Sequence, residues 1–402
     1  MKRTRLAAID VGTTKVCTIM ADSGGVSELR ILGVGITPAE GMHKGMVVDV
    51  NVAKNSIRQS VYQAERIAGY KLESATVGIT GRHITSATRQ GAIAITRQDQ
   101  LVRPNDLKRV LSMAQSVEIP SENKLLHVLP RTYKVDGQEG VMNPVGMHGF
   151  RLDVETHVIS AAITSIQNMT KCIRGVGVEV DELVLEPLAS AEAVLTEEER
   201  QDGVILADIG GGTTDIAVYK DNTVYHTAVL PVAGYQVTRD LSVGLGISFE
   251  AAEDMKKKYG DVTPEEKNAK PNDARLIQDG QTISCADLGE IIRMRVEELL
   301  RLIVLELPQS NYSKLVPAGL VLTGGGASLP GIAELSQQVT HLPTRVGVPF
   351  GLEGVSDSLQ HPAYATGVGL LLWQLNKGSR PAEQVKETGP MAMFGKLFSV
   401  FK

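Results

Sequence analysis

The alternation of apolar runs and glycine-rich turns makes one pattern twice in this chain. Arg5 to Ile9 reads as an apolar strand, Asp10-Val11-Gly12-Thr13-Thr14 as a turn, and Lys15 to Met20 as a returning strand. Some 200 residues later Val204-Ile205-Leu206-Ala207 leads into Asp208-Ile209-Gly210-Gly211-Gly212-Thr213-Thr214-Asp215, and Ile216 to Tyr219 returns. In both, an acid closes an apolar strand and a Thr pair opens the next. A hairpin repeated at that distance predicts two related halves rather than a short-period solenoid.

Between the hairpins, helical spacing covers residues 52–70, and Ala75 to Thr80 reads as a strand. From about Gly81 to Ile159 the pattern predicts a small α+β insertion, with strands at Gly91–Thr96 and Leu125–Val135 and a helix over Asn105–Ser116. Strand, helix and strand follow at Leu152–Ile163, Ile166–Gly175 and Glu179–Leu185. After the second hairpin, helices are expected over Gln236–Ser242, Ser248–Lys258 and Ala286–Leu307, with residues 260–282 mostly loop. Gly319–Thr323 is a strand ending in glycines, and Pro330–Val339 a helix. Residues 376–390 carry the polar, Gly- and Pro-containing composition of a linker.

Composition narrows the class. Apolar residues make up 43% and charged ones 22%, enough to build packed cores. A net charge of −5 argues against nucleic acid as the main partner. Cys17, Cys172 and Cys285 lie far apart with no CxxC, so buried free thiols in a reducing compartment are expected rather than disulfides or structural zinc. The run Leu6–Ile9 is too short for a signal peptide, and no uncharged stretch reaches the roughly 18 residues of a membrane span. A cytosolic chain is the expectation.

A carboxylate beside a Gly-Thr-Thr turn can hold Mg²⁺ through waters while backbone N–H and hydroxyl groups wrap phosphate oxygens. One such turn needs no ligand. Two, in matching places, form a clamp on a triphosphate, with Asp10 and Asp208 facing one metal and Gly12, Thr13, Thr14, Gly210, Gly211, Gly212 and Thr213 at the phosphates. Lys15 either meets a phosphate or is an exposed strand residue. A third cluster, Gly324-Gly325-Gly326, follows a strand and precedes a helix, a geometry that lets backbone approach a nucleotide. No Lys-Ser or Lys-Thr follows at P-loop spacing, and no GxGxxG with a downstream acid occurs, so Walker and Rossmann sites are excluded.

Taken together with Glu186-Pro187-Leu188-Ala189-Ser190-Ala191 and Tyr364-Ala365-Thr366-Gly367-Val368-Gly369, these motifs resemble the actin/Hsp70/sugar-kinase ATPase fold in its family order. Within that fold the chain, from about residue 5 onward, resembles the FtsA family of bacterial cell-division proteins. The specific matches are Gly41-Met42-His43-Lys44-Gly45, Ile79-Thr80-Gly81-Arg82-His83-Ile84, Leu126-His127-Val128-Leu129-Pro130 and Asn143-Pro144-Val145-Gly146. The resemblance implies an α/β, actin-like ATPase fold: two related lobes around a nucleotide cleft, with an inserted small α+β subdomain. It divides the chain into a first lobe (1–83 and 163–197) interrupted by an insertion (84–162) for filament and partner contacts. A second lobe (198–228 and 299–375) carries a small subdomain (229–298), then a linker (376–390) and a last segment (391–402).

The resemblance further implies ATP with Mg²⁺ in the cleft, Glu253 and Lys256 at ribose and adenine, and Glu186 as a carboxylate that orients attacking water. Without it, Lys256-Lys257-Lys258 reads as a solvated helix face and Glu186 as an ordinary strand-terminal acid. It also implies that the small subdomain receives the C-terminal peptide of FtsZ, the tubulin-like ring protein. Arg293, Arg295 and Arg301 could meet acids on that peptide, or form i,i+4 pairs on a solvated face. Self-assembly into filaments, recruitment of later division proteins and a slow or absent ATPase belong to the same expectation.

Phe394, Leu397, Phe398 and Phe401 fall at i, i+3, i+4 and i+7, flanked by Lys396 and Lys402. Half of the chain's six phenylalanines lie in its last nine residues. Behind a flexible linker, such a stripe predicts an amphipathic anchor on an anionic inner-membrane face. The expected role is thus a peripheral membrane tether for the FtsZ ring at the division site. Two alternatives share the fold: a pilus-assembly adaptor, and a sugar- or acetate-kinase-type phosphotransferase.

Overall fold

The computed structural model describes residues 4–25, 28–115, 120–263, 275–278, 281–307, 312–354 and 357–376. Two sheets carry the larger of its two compact units. In the first, Thr4–Val11 pairs antiparallel with Lys15–Gly25, which pairs antiparallel with Glu28–Pro38. On its other side Thr4–Val11 runs parallel to Ser74–Ile79, followed in parallel by Glu179–Leu185. In the second, Val204–Ile209 pairs antiparallel with Thr214–Lys220, then Thr223–Leu230, and runs parallel to Leu320–Thr323 and Thr344–Val346 beyond it. Order and strand sense are the same in both, so the repeated hairpin marks a repeated sheet. The first sheet alone adds a sixth strand, Leu352–Gly354.

Continuous apolar runs make these central strands, because both faces of the sheets are covered. All six residues of Val204–Ile209 are buried, Asp208 included. On the first sheet lies the helix Val50–Ala68. Asp49 starts it by accepting from the Asn51 and Val52 N–H groups, and Gly69, at φ 79°, ends it. Ala53, Ile57, Ser60, Val61 and Ala64 form its buried stripe.

Two helices join the lobes, Glu186–Val194 and Ala365–Leu375, and both are buried over most of their length. They cross so closely that a Cβ on Gly369 would stand 1.8 Å from the Ala189 carbonyl oxygen. In the second lobe the helices Gly234–Leu245, Phe249–Tyr259 and Cys285–Leu305 pack a shared core of Val237, Leu241, Met255, Leu288, Ile292 and Leu299.

The smaller unit comprises Thr88–Glu118 and Val128–Val158. Its helix Pro104–Gln115 buries Leu107, Val110, Leu111 and Ala114. Asp106 is buried there, satisfied by the Arg97 guanidinium and the Arg103 N–H.

Some expectations change. Residues 260–282 are not all loop, since Arg275–Gln278 and Gln281–Ser284 form a hairpin. Glu28–Pro38 and Thr223–Leu230 are strands that the hairpin pattern did not announce. Cys17 and Cys172 are buried free thiols as expected, but Cys285 is only half-buried, at the start of its helix. Among the described residues no helix is long and apolar enough to cross a membrane.

A glycine in a helix ordinarily gains about 1 kcal/mol on replacement by alanine. At the crossing the sign should reverse: Gly369→Ala is expected to cost roughly 2 kcal/mol or more, through displacement of the Ala189 backbone. Thermal unfolding of the variant measures it.

Candidate functional site

The two hairpins meet tip to tip. A Cβ on Gly211 would stand 2.3 Å from Thr14 Cγ2, and one on Gly212 2.6 Å from Thr13 Oγ1. These glycines are therefore required by the closure of one hairpin on the other, a reason beyond the phosphate approach expected from sequence. Each turn is held internally, by Gly12 N–H to Lys15 O and Gly210 N–H to Thr213 O. The Gly45 N–H donates to Thr13 Oγ1 at 3.1 Å, tying the loop after Glu28–Pro38 to the same tip.

Strand register places Asp10 opposite Cys17 and Asp208 opposite Asp215. The second hairpin thus carries an extra acid where the first carries a thiol. Asp215 is buried; its Oδ2 accepts from Thr213 Oγ1 and its Oδ1 from Thr80 Oγ1. Asp208 Oδ2 accepts from Ser190 Oγ at 2.6 Å and Thr366 Oγ1 at 3.0 Å, one from each connecting helix. Glu186, buried at the head of its helix, lies over Gly78, where an added Cβ would stand 3.2 Å from its Cγ. The N–H of the preceding Leu185 donates to His127 Nε2. Sequence reasoning found Asp10, Asp208 and Glu186 but not Asp215, Thr80, Ser190, Thr366 or His127 as parts of the site.

The electrostatics follow from four buried acids and one half-buried lysine. Burial pushes the Asp10 carboxyl up to about 6, with Lys15 pulling it back and Asp208 adding repulsion. Burial likewise takes Asp215 up to about 7, against its threonine hydrogen bonds and with repulsion from Asp208 and Asp10. Glu186 is raised well above the carboxylate range by burial and then by Asp10, Asp215 and Asp208. Asp208 is raised by burial, partly offset by Ser190 and Thr366. Burial opposes the charge on Lys15, but Asp10 and the surrounding groups outweigh it and hold its pKa above the usual value. Lys15 is no exposed strand residue: its ammonium lies 5.5 Å from the Tyr364 ring centre and serves the acids.

Such an all-oxygen, net negative set suits a hard divalent cation such as Mg²⁺. Among the described residues no three His, Cys, Asp or Glu side chains are grouped to hold a metal. Asp10 and Asp208, both buried, present carboxylate oxygens of the kind such a cation takes. At the third glycine cluster the roles separate. Gly324, at φ 81°, packs on Asp208 and Ile209, and Gly326 on Ile209, whereas a Cβ on Gly325 would meet only Ala363, at 3.9 Å. Among the described residues Gly325 thus borders open space on that side.

Glu253 and Lys256 form an ion pair at 2.6 Å, and Lys256 Nζ also donates to the Gly234 carbonyl at 3.1 Å. Gly234 N–H in turn donates to Gly210 O, so this pair is wired to the second hairpin. Arg293, Arg295 and Arg301 all lie on Cys285–Leu305 and all have acids: Glu297 for Arg293 and Arg301, Asp240 and Glu298 for Arg295. Phe394, Leu397, Phe398 and Phe401 lie outside the described residues.

The folded state keeps protons on Asp10 and Asp215 to higher pH than the unfolded chain does. Stability is therefore lost as pH rises from about 4 through 7, by at most about 1.4 kcal/mol per pH unit per group. Asp215→Asn, which keeps an acceptor for one threonine, should gain stability over wild type progressively from about pH 4 to 7, and level off above that, without divalent cations. Thermal unfolding across that range checks it; a difference independent of pH would contradict the assignment.

Known proteins resemble the chain in sequence and in fold. Residues 205–369 match the family described as cell division protein FtsA, and residues 81–160 the SHS2 domain inserted in FtsA. Cell division protein FtsA of Pseudomonas aeruginosa is 40% identical, over 93% of this chain and 90% of that protein. Among solved structures, the PilM–PilN type IV pilus biogenesis complex gives a TM-score of 0.67 at 17% identity, over 93% of this chain and 99% of that one. MreB5 of Spiroplasma citri bound to ADP gives 0.57 at 13% identity, over 94% and 98%. The structural likenesses establish the actin-like fold, with an inserted domain in the first lobe. By the extent of the sequence match, this chain belongs to the FtsA family of cell-division proteins.

Proposed function

We propose that this actin-like cell-division protein binds Mg²⁺–ATP between its two hairpins and, assembled into filaments, tethers the FtsZ ring to the inner membrane face. The observation that carries the nucleotide reading is the tip-to-tip meeting of the hairpins around four buried carboxylates. The solved relative MreB5 is bound to ADP in the same fold, which supports it. Asp10 and Asp208 hold the metal through its waters, and the metal, when bound, neutralises phosphate charge. Backbone N–H and hydroxyl groups of Gly12, Thr13, Thr14 and Gly210–Thr213 surround the phosphates, while Gly324–Gly326 and the Glu253–Lys256 pair face ribose and base. Glu186 orients a water, which makes at most a slow ATPase. Membership of the FtsA family sets aside the pilus-adaptor and sugar- or acetate-kinase readings.

For the partners, the half-buried helix Cys285–Leu305 offers its arginines to an acidic peptide such as the FtsZ tail, in exchange for their present acids. The insertion serves filament contacts and later division proteins. The stripe Phe394, Leu397, Phe398 and Phe401 binds the membrane. Each apolar side chain contributes roughly 1.5–3 kcal/mol and each of Lys396 and Lys402 about 1 kcal/mol at an anionic surface. Ordering the helix costs about 1–2 kcal/mol per backbone residue, so a single tail binds weakly and a filament holds by avidity.

Two outcomes are expected. Asp208→Ala should lower ATP affinity roughly 10- to 100-fold, as for loss of a contact to a charged group, and Gly325→Val should lower it by filling the space beside the glycine, each with the circular dichroism of the fold retained; equilibrium dialysis measures it. Deleting residues 391–402, or Phe398→Glu, should abolish flotation with anionic vesicles in ATP while leaving ATP binding intact.

A further inference from the structure

The loop Gly41–Gly45 carries one of the motifs that the nucleotide reading leaves without a task. It belongs to a small hairpin, Met42–His43 paired with Met46–Val47, turned by Lys44 and Gly45. Both turn residues have positive φ, 48° at Lys44 and 74° at Gly45. A two-residue turn of this kind favours Asn, Asp or Gly at its first position, so a lysine there is held in a conformation it does not prefer, and strain of that sort collects at functional sites.

The turn sits at the junction of the two hairpin tips. The Lys44 Cα is 3.0 Å from where a Cβ on Gly212 would stand, and the next N–H, that of Gly45, donates to Thr13 Oγ1. On its far side Gly45 abuts Thr80, the residue that donates to Asp215. The two hairpin tips and the Thr80 segment thus converge on this turn. Its ammonium makes no ion pair or hydrogen bond among the described residues, whereas the other two lysines near the cleft are committed. Lys15 serves the Asp10–Asp208 acids, and Lys256 is bound to Glu253. A triphosphate brings several negative charges to a site that already holds four buried acids, so a further free cation is needed there.

We infer that Lys44 binds the terminal phosphate of the nucleoside triphosphate and makes the site prefer triphosphate over diphosphate. The inference rests on the nucleotide reading above and adds a specificity residue to it. The backbone of Lys44 is held against Gly212 at the tip of the second hairpin, within a side chain's length of the phosphates on that reading, and binding there would offset the strain in its turn.

Equilibrium dialysis of ATP and ADP with the full chain and Mg²⁺ tests it, using wild type, Lys44→Asn and Lys44→Arg. Asparagine suits the left-handed turn, so Lys44→Asn should unfold at the same temperature as wild type or higher. It should nevertheless lose about tenfold or more in ATP affinity, the size of one charge-assisted contact, with ADP affinity changed less than about twofold. Lys44→Arg should retain most of the preference for ATP. Equal loss for ATP and ADP, or ATP affinity unchanged in Lys44→Asn, would overturn the role of Lys44 while leaving the nucleotide reading in place. Wild type that binds neither nucleotide would overturn both.

Discussion

Closure of Gly211 and Gly212 on Thr14 and Thr13 is the constraint on which the rest of the site depends. Only residues without a Cβ allow the second hairpin to come this near to the first. Once the tips meet, Asp10 and Asp208 are buried together, and the cross-lobe bond from Thr80 to Asp215 forms. Each carboxylate is costly to bury alone, and among the described residues the cluster holds only Lys15 as a counter-charge. The lobes are therefore closed around an electrostatic deficit, and the proposed cation would relieve it, which would link closure to ligand in one physical term.

The connecting helices make that coupling mechanical. Ser190 on one and Thr366 on the other both bond Asp208 Oδ2, and the two helices touch where Gly369 meets Ala189. A change in the charge or coordination of Asp208 thus bears directly on the crossing through which the lobes are joined. Glu186 begins the first of these helices, and His127 holds the turn just before it. Closely packed elements of this kind have few intermediate arrangements, which suits a protein whose assembly would follow its nucleotide state.

Much of this was legible in the chain because it is local. Strand, acid, glycine and threonine lie within about ten residues in each hairpin, and the repetition of that pattern predicted a repeated sheet. What escaped is long-range. Thr80 and Asp215 are 135 positions apart, Thr366 and Asp208 158, and no periodicity announces such pairs. Asp215 was nonetheless within reach: it stands opposite Asp208 in the hairpin where Cys17 stands opposite Asp10, so aligning the two hairpins marks the substitution. The strand Thr223–Leu230 escaped because half-buried positions blur its alternation. The hairpin at 275–284 escaped because its surroundings are polar.

The central claim is that one ligand is clamped by both hairpins. A crystal structure of the chain grown with Mg²⁺ and a non-hydrolysable ATP analogue tests it most directly. The account predicts phosphates in contact with both Gly12–Thr14 and Gly210–Thr213, a hydrated metal between Asp10 and Asp208, and the adenosine over Gly325. A nucleotide bound to one lobe alone, or at a place remote from the two hairpins, would contradict it.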